Sequence, residues 1–295
     1  MAADGGQVYV ALGDQPRLAL IDVGSDTLVG LQPLAPGGVN AVAVVGNRVY
    51  TSNRNSAQVS ISQAGSGALL GTLGVGTLPW GVGGAVDRVY VANFANGTVS
   101  VINTVTGSVL RTTAVASMPA FVAALPNQAY VTHISGQLSI LSRNGTLMAD
   151  LNPGSAGQLW GLALSPEGDR LYLADRPGNR ILVMSTGTNQ VISTIALPGP
   201  PTALAINPGT GHLFAVDSTT DRVYVVATRS GNTYLGAVPV GSQGATEGGQ
   251  GIAVAQNKVY VANWQDRSVT VLDDAVCPGQ ITPTPPTPTP TPFPR

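Results

Sequence analysis

The sequence predicts an all-β, seven-bladed β-propeller, and three observations support this prediction. A short apolar segment with an aromatic residue inside it occurs seven times, and six of the copies end on a polar residue. The aromatic residues stand at positions 9, 50, 90, 130, 172, 214 and 260, so successive copies are 40 to 46 residues apart. Further short alternating segments and turn residues lie between the copies. Tandem repeats of this length that are built from short strands are typical of propellers, with one blade per repeat.

Each repeat resolves into four strands. The aromatic strands are predicted at 7–12, 48–53, 88–93, 128–133, 170–175, 212–217 and 258–263. An alternating strand follows each of them, as at 98–103, and an outer strand follows a turn such as 106–107. The innermost strand is short and rich in small residues, as at 81–84, because the blades of a propeller converge there. The aromatic strands are apolar on both faces, which predicts that each is packed between neighbouring blades.

One repeat carries a family resemblance. Gly81-Val82-Gly83-Gly84, Arg88-Val89-Tyr90-Val91-Ala92-Asn93 and the following 98–107 resemble the YVTN repeat of bacterial and archaeal cell-surface propellers. The resemblance extends over residues 7 to 273 in all seven copies. It implies a seven-bladed, usually extracellular propeller that serves most often as an interaction module without known chemistry.

Composition excludes several classes of partner. Charged residues make up 10% of the chain and the formal net charge is −1, so nucleic acid and anionic membrane surfaces are not expected as partners. No apolar stretch reaches the ~18 residues that a membrane helix needs. The one cysteine, Cys277, cannot form an internal disulfide and is interpreted as a surface thiol. We expect a monomer with no metal and no cofactor.

The two ends of the chain depart from the repeat pattern. The propeller is predicted over 1–276, followed by a disordered Pro/Thr-rich linker or stalk over 277–295 that favours extended polyproline II. The first blade is expected to lack its innermost strand and the last blade its outermost strand. No secretion signal is visible at Met1, and we expect an upstream segment to carry one, together with a missing strand. The expected location is therefore extracellular or at the cell surface.

Strand direction places two sets of residues at the same end of the blades, which we call the top face. One set enters the innermost strands and the other follows the aromatic strands. Aromatic and arginine side chains that share one surface are typical of binding hot spots, and flat rings also suit sugars. Trp80 and Trp160 could equally plug the axis between blades. The candidate ligand-binding residues are Asn40, Arg54, Trp80, Phe94, His133, Trp160, Arg176, Glu247, Gln250 and Trp264.

Three functions remain open at this level. The first is an extracellular module that binds a protein or a glycan at the top face without catalysis, and this is the one that we favour. The second is a lactonase- or lyase-type propeller enzyme that uses His133, Glu247 and Asp175 as an acid–base set. The third is a structural component of a surface layer. The polar residues that end the aromatic strands are expected to bond their own turns, since Asn and Asp do so through their side chains.

Overall fold

A computed structural model describes residues 1–13, 15–242 and 251–274 of the chain. The described residues form 27 strands and one 3-10 turn, Phe94–Asn96. The strands pair into seven antiparallel sheets, each joined in chain order. This is the all-β, seven-bladed propeller of four-stranded blades that the repeats predict. In this part of the chain no helix has the length and apolarity to span a membrane.

The strands of sheets 1 to 4 are β1 (Ala2–Ala3), β2 (Gln7–Ala11), β3 (Arg17–Asp22), β4 (Thr27–Pro33), β5 (Val39–Val45), β6 (Arg48–Asn53), β7 (Gln58–Gln63), β8 (Leu69–Gly74), β9 (Pro79–Ala85), β10 (Arg88–Asn93), β11 (Thr98–Asn103), β12 (Ser108–Ala114), β13 (Pro119–Ala124), β14 (Gln128–His133), β15 (Leu138–Ser142) and β16 (Leu147–Leu151). Those of sheets 5 to 7 are β17 (Leu159–Leu164), β18 (Arg170–Asp175), β19 (Arg180–Ser185), β20 (Gln190–Ala196), β21 (Ala203–Ile206), β22 (His212–Asp217), β23 (Arg222–Ala227), β24 (Thr233–Pro239), β25 (Ile252–Ala255), β26 (Lys258–Asn263) and β27 (Ser268–Asp273).

The chain divides into two compact units. Unit 1 comprises Met1 and residues 9–20 and 29–160, and it contains sheets 2 to 4 whole. Unit 2 comprises residues 2–8, 21–28 and 161–295 and holds most of sheet 5 with sheets 6 and 7. Each unit has its own buried apolar clusters between successive sheets.

The aromatic strands are buried on both faces, as their composition predicts. Val89 and Val91 of β10 pack with residues of sheet 2, whereas Tyr90 and Ala92 of the same strand pack with residues of sheet 4. Side chains alternate across a strand, so one strand contributes to two interfaces. This explains why the second strand of a blade has no polar face.

Four of the six repeated tyrosines form a hydroxyl hydrogen bond to the outer turn of the next sheet, and the sequence reading missed these bonds. The pairs are Gly65 N to Tyr9 Oη (2.7 Å), Tyr90 Oη to Arg143 O (3.1 Å), Tyr172 Oη to Asn232 Oδ1 (3.4 Å) and Tyr260 Oη to Asp26 Oδ1 (2.7 Å). The bond from Tyr260 to Asp26 connects sheet 7 to sheet 1. It is the same kind of tyrosine-to-turn contact as the three bonds between successive sheets. At these four positions, a ring buried at one end with a hydroxyl bonded at the other explains the presence of tyrosine rather than phenylalanine.

The first sheet differs from the expectation that it lacks an innermost strand. Sheet 1 does have an innermost strand, because Ala2–Ala3 pair with β2, although this strand is only two residues long. Within the described residues sheet 7 has three strands, as the sequence predicts for the last blade. Lys258 Nζ also donates to Asp26 Oδ2 (2.7 Å) and so adds an ion pair between sheets 7 and 1. The predicted linker at 277–295 lies outside the described residues.

The outer strands of sheets 2 to 6 each shift register by one residue. The residue at the shift is a large apolar side chain that is 36% to 58% exposed. These residues are Leu70, Leu110, Met148, Ile192 and Leu235. A bulge on an edge strand interrupts the row of free backbone groups, which disfavours pairing with another sheet.

Candidate functional site

The residues that enter the innermost strands lie beside the turns that follow the aromatic strands. In unit 1, Arg54 N donates to Gly38 O (2.7 Å) and Phe94 N donates to Leu78 O (3.0 Å). In unit 2, Gln265 N donates to Ser242 O (3.2 Å). These backbone bonds place the two predicted sets at the same end of sheets 2, 3 and 7, as the strand directions predict.

Four of the predicted residues come together on the top face of unit 1. The Trp80 and Phe94 rings have centroids 5.2 Å apart and planes tilted by 33°. Arg54 Cζ lies 5.7 Å from the centroid of the Trp80 ring, within the range of a cation–π contact. Asn40 Nδ2 donates to the carbonyl of Trp80 (3.2 Å). We call Asn40, Arg54, Trp80 and Phe94 the aromatic–arginine cluster.

The position of Trp80 is set by its neighbours. Ser52 Oγ, which is buried on β6, donates to the same Trp80 carbonyl (2.7 Å). Gly81 follows directly, and a Cβ there would overlap the backbone of Ala120 in β13, so only glycine lets the innermost strands approach so closely. The indole N–H of Trp80 is buried and has no acceptor among the described residues. Trp80 is thus held by its main chain while its ring stays half-buried between Arg54 and Phe94.

Arg54 has no ion-pair partner among the residues that the structure describes. The turns that follow β6, β10 and β14 and the loops that enter β5, β9 and β13 contain no other charged side chain. Ion pairs within unit 1 involve other arginines, namely Arg88 and Arg143 with Asp87. The described residues supply Arg54 with no carboxylate partner and no side-chain hydrogen bond. Among the described residues, the contact with the Trp80 ring is what positions its guanidinium group.

The polar residues that end the aromatic strands have structural roles, as their repetition predicts. Their partners lie mostly on the next strand of the same hairpin, beyond the turn that the sequence indicated. The contacts are Asn53 to Ser60 (2.8 Å), Asn93 to Ser100 (3.0 Å), His133 to Ser139 (2.7 Å), Asp175 to Arg180 (2.7 Å), Asp217 to Tyr224 (2.6 Å) and Asn263 to Thr270 (2.8 Å).

The acid–base set considered from the sequence is not assembled by the described residues. His133 is fully buried, its Nδ1 donates to Ser117 O (3.0 Å), and its Nε2 lies against Ser139 Oγ. Asp175 is fully buried and paired with Arg180. Glu247 lies outside the described residues. No group of three or more histidine, cysteine or acidic side chains in the described part of the chain is arranged to hold a metal ion.

His133 makes stability depend on pH in a direction that can be tested. Burial lowers the pKa of the folded imidazole below 6.5, since the charged form is poorly solvated inside, and the hydrogen bond to Ser117 and the charge of Asp150 oppose this only in part. As pH falls through about 6.5 the unfolded chain takes up a proton that the folded chain does not. We expect His133→Asn, which installs the residue that other repeats use, to weaken the loss of stability between pH 7 and pH 5 seen by urea denaturation. An unchanged pH slope would contradict this role.

The remaining predicted residues lie apart from the cluster. Trp160 is 7% exposed, packs on Phe121 with ring centroids 6.1 Å apart, and donates from Nε1 to Gln158 Oε1 (3.3 Å). Its burial favours the plug interpretation over direct binding. Trp264 is 52% exposed in a turn of unit 2, and Arg176 is half-buried in the same unit. Gln250 lies outside the described residues.

A buried polar cluster in unit 2 was missed by the sequence reading. Asp274, just after β27, accepts hydrogen bonds from His212 Nδ1 (2.6 Å), Asn207 Nδ2 (2.6 Å) and Thr210 Oγ1 (2.5 Å). His212 is 62 residues away from Asp274 in sequence. The one available signal was that a histidine opens its aromatic strand where the other copies have Arg, Lys or Gln.

The carboxyl group of Asp217, at the end of β22, accepts several hydrogen bonds. Burial alone would raise the pKa of this carboxyl group. Hydrogen bonds from Thr219, Tyr224 and Thr220 to its two oxygens outweigh burial and hold the pKa below its usual value. A carboxylate that is saturated in this way stabilises its own hairpin and has no free oxygen to offer a ligand.

Comparisons with solved structures agree on the fold. The chain is similar to hydrazine synthase from Kuenenia stuttgartiensis, with a TM-score of 0.78 and 17% identity over 94% of this chain and 95% of that one. It is also similar to a functionally unknown protein from Desulfotomaculum acetoxidans DSM 771, with a TM-score of 0.79 and 10% identity over 94% of each chain.

A third match is the computationally designed Ika8 protein, with a TM-score of 0.69 and 19% identity over 95% of this chain and 84% of that one. No protein-family model and no curated protein matches the chain. Identities this low show the fold alone, because propellers of one architecture support many functions. The comparisons therefore support a seven-bladed β-propeller.

Proposed function

We propose that this protein is a non-catalytic interaction module that binds a protein or glycan ligand at the top face of unit 1. The observation that carries the proposal is the stack of Arg54, Trp80 and Phe94. Tryptophan and arginine are the residues most enriched in binding hot spots, and here they share one surface with a second aromatic ring. Because the main chain of Trp80 is fixed by Asn40 and Ser52, the site is pre-organised, which lowers the entropy lost on binding.

The same proposal places the protein among YVTN-like, extracellular or cell-surface propellers of bacteria or archaea. It rests on the repeat resemblance and on the weakly charged composition. In this setting the Pro/Thr-rich segment at 277–295 would act as a stalk, and the protein would act as a monomer without nucleic acid as a partner. Binding is favoured over catalysis because His133 and Asp175 are taken up by structural bonds.

Alanine substitution of Trp80 tests the proposed function. We expect wild-type protein to bind components of a combined glycan and peptide array, and Trp80→Ala to weaken that binding about 30-fold, as removal of a hot-spot side chain does. The matched control is Tyr234→Ala, which removes a half-exposed aromatic ring from an outer strand of unit 2 and should leave binding unchanged.

Two results would overturn the proposal. One is a wild-type protein that binds nothing on the array. The other is binding that persists at full strength in a Trp80→Ala protein whose circular dichroism and melting temperature match the wild type. Loss of binding in Trp264→Ala instead would move the site to unit 2, where that ring is exposed.

A further inference from the structure

We infer that the ligand of the aromatic–arginine cluster is an acidic saccharide, in which a sugar ring covers the aromatic side chains and a carboxylate on that sugar pairs with Arg54. This inference rests on the proposed function and names the chemical class of its ligand. It follows from the charge, the ring geometry and the polar surroundings of the cluster.

The charge argument begins with Arg54. Its guanidinium group has no carboxylate partner and no side-chain hydrogen bond among the described residues, and it is half-buried against Trp80. A guanidinium group carries five N–H donors in a planar fork that matches a carboxylate in a bidentate manner. Contact with the ring face through Cζ leaves the in-plane N–H groups available. Among the described residues this charge has no counter-charge, which favours an anionic ligand.

The ring geometry argues for a ligand with an apolar face. Trp80 and Phe94 are both half-buried, and their rings meet at a tilt of 33°. Together they present aromatic surface next to one cation. A pyranose ring offers C–H groups on one face and can carry a carboxylate at its edge, so it complements both features at once. A free inorganic anion would use Arg54 and leave the two rings uncovered.

The surroundings favour a saccharide over an acidic peptide. Asn55, Thr77 and Asn96 lie in the turns next to the cluster and are exposed. Their amide and hydroxyl groups both donate and accept hydrogen bonds, which suits the hydroxyl groups of a sugar. An acidic peptide would be expected to meet further cations, and these turns contain none besides Arg54.

The test uses acidic sugars whose charge is removed by esterification of the carboxylate. Oligogalacturonate and sialyllactose are each compared with their own methyl ester by isothermal titration calorimetry of the full chain. At least one acidic sugar is expected to bind about 10- to 100-fold more tightly than its neutral counterpart, because a charge-assisted bond is formed. Binding of that sugar should weaken as salt increases, since the ion pair is partly exposed.

Two variants separate the contributions of charge and fork geometry. Arg54→Gln should reduce affinity for the acidic sugar about 10- to 100-fold and should abolish the preference for the acidic sugar over the neutral one. Arg54→Lys keeps the charge but loses the bidentate fork, so an intermediate loss is expected. Arg222→Gln, an exposed arginine at the start of β23 in unit 2, is the control and should bind as wild type does.

The outcomes distinguish this inference from the function on which it rests. Equal affinity for acidic and neutral sugars, or an Arg54→Gln protein that still prefers the acidic sugar, overturns the acidic-saccharide assignment. If neutral glycans or peptides bind through Trp80 while no acidic sugar does, the binding function stands and this inference fails. If nothing binds at all, both fail.

Discussion

Replacement of Asp274 by alanine is expected to destabilise the protein by about 3–5 kcal/mol, which is the usual result of removing one partner from a buried polar pair. Asp274 is 1% exposed and its carboxyl group accepts hydrogen bonds from His212, Asn207 and Thr210. Without it, the buried His212 and Asn207 and the partly buried Thr210 lose their partner, and each buried group left unpaired costs about 1–3 kcal/mol. The network joins the end of β27 to the turn between β21 and β22, so unit 2 should be weakened as a whole.

Chemical denaturation followed by tyrosine and tryptophan fluorescence measures this loss. Glu167→Ala removes an exposed carboxylate from unit 2 and serves as the matched control, with a change within about 0.5 kcal/mol. Asp274→Asn should give a smaller loss than alanine because one oxygen acceptor remains. A loss below 1 kcal/mol for Asp274→Ala would show that the three donors find other partners.

Gly161→Ala is expected to destabilise the protein by about 2–3 kcal/mol through steric overlap in the innermost strands. A Cβ on Gly161 would lie 2.7 Å from Ala203 Cα and 2.9 Å from Thr202 O. These neighbours are backbone atoms, and Gly161 N donates to that same Thr202 oxygen (2.9 Å), so neither strand can move away without breaking a bond. No left-handed φ is involved, and the effect is one of space alone.

Gly74→Ala is the control for this prediction. It lies at the end of an outer strand, where a Cβ would meet nothing within 4 Å. Alanine there should be neutral or slightly stabilising, because it reduces the freedom of the unfolded chain. The measurement is the free energy of unfolding in urea for both variants. Similar values for the two would mean that the innermost strands are packed less closely than the distances indicate.

The sequence by itself determined the architecture. Seven copies of one strand pattern, spaced by 40 to 46 residues, are compatible with few other folds. Each copy forms its own strands and turns and packs only on the adjacent copies. The same periodicity predicted that Asn53, Asn93 and Asn263 have structural roles. A polar residue that recurs at one position in most repeats is expected to stabilise the local structure of its own repeat. Strand direction predicted that the residues entering the innermost strands share an end with the turns after the aromatic strands, as is seen in sheets 2, 3 and 7.

Only the tertiary structure decided which candidates meet. Asn40, Arg54, Trp80 and Phe94 come from four different strands or turns of sheets 2 and 3, and no spacing in the sequence states that they contact one another. Trp80 and Trp160 occupy matching positions in the repeat, yet one ring is half-buried beside an arginine and the other is covered by Phe121.

The sequence did not predict the buried Asp274 network or the tyrosine bonds between sheets, and the physical reason is the same for both. Strand periodicity reports whether a side chain faces inwards, which is a property of its own strand. Hydrogen bonds and ring contacts depend on distances of a few ångströms between residues that are far apart in sequence, and those distances are set by how neighbouring sheets pack. The repeats in the sequence therefore determine the fold, whereas the candidate site arises from the packing of one repeat on the next.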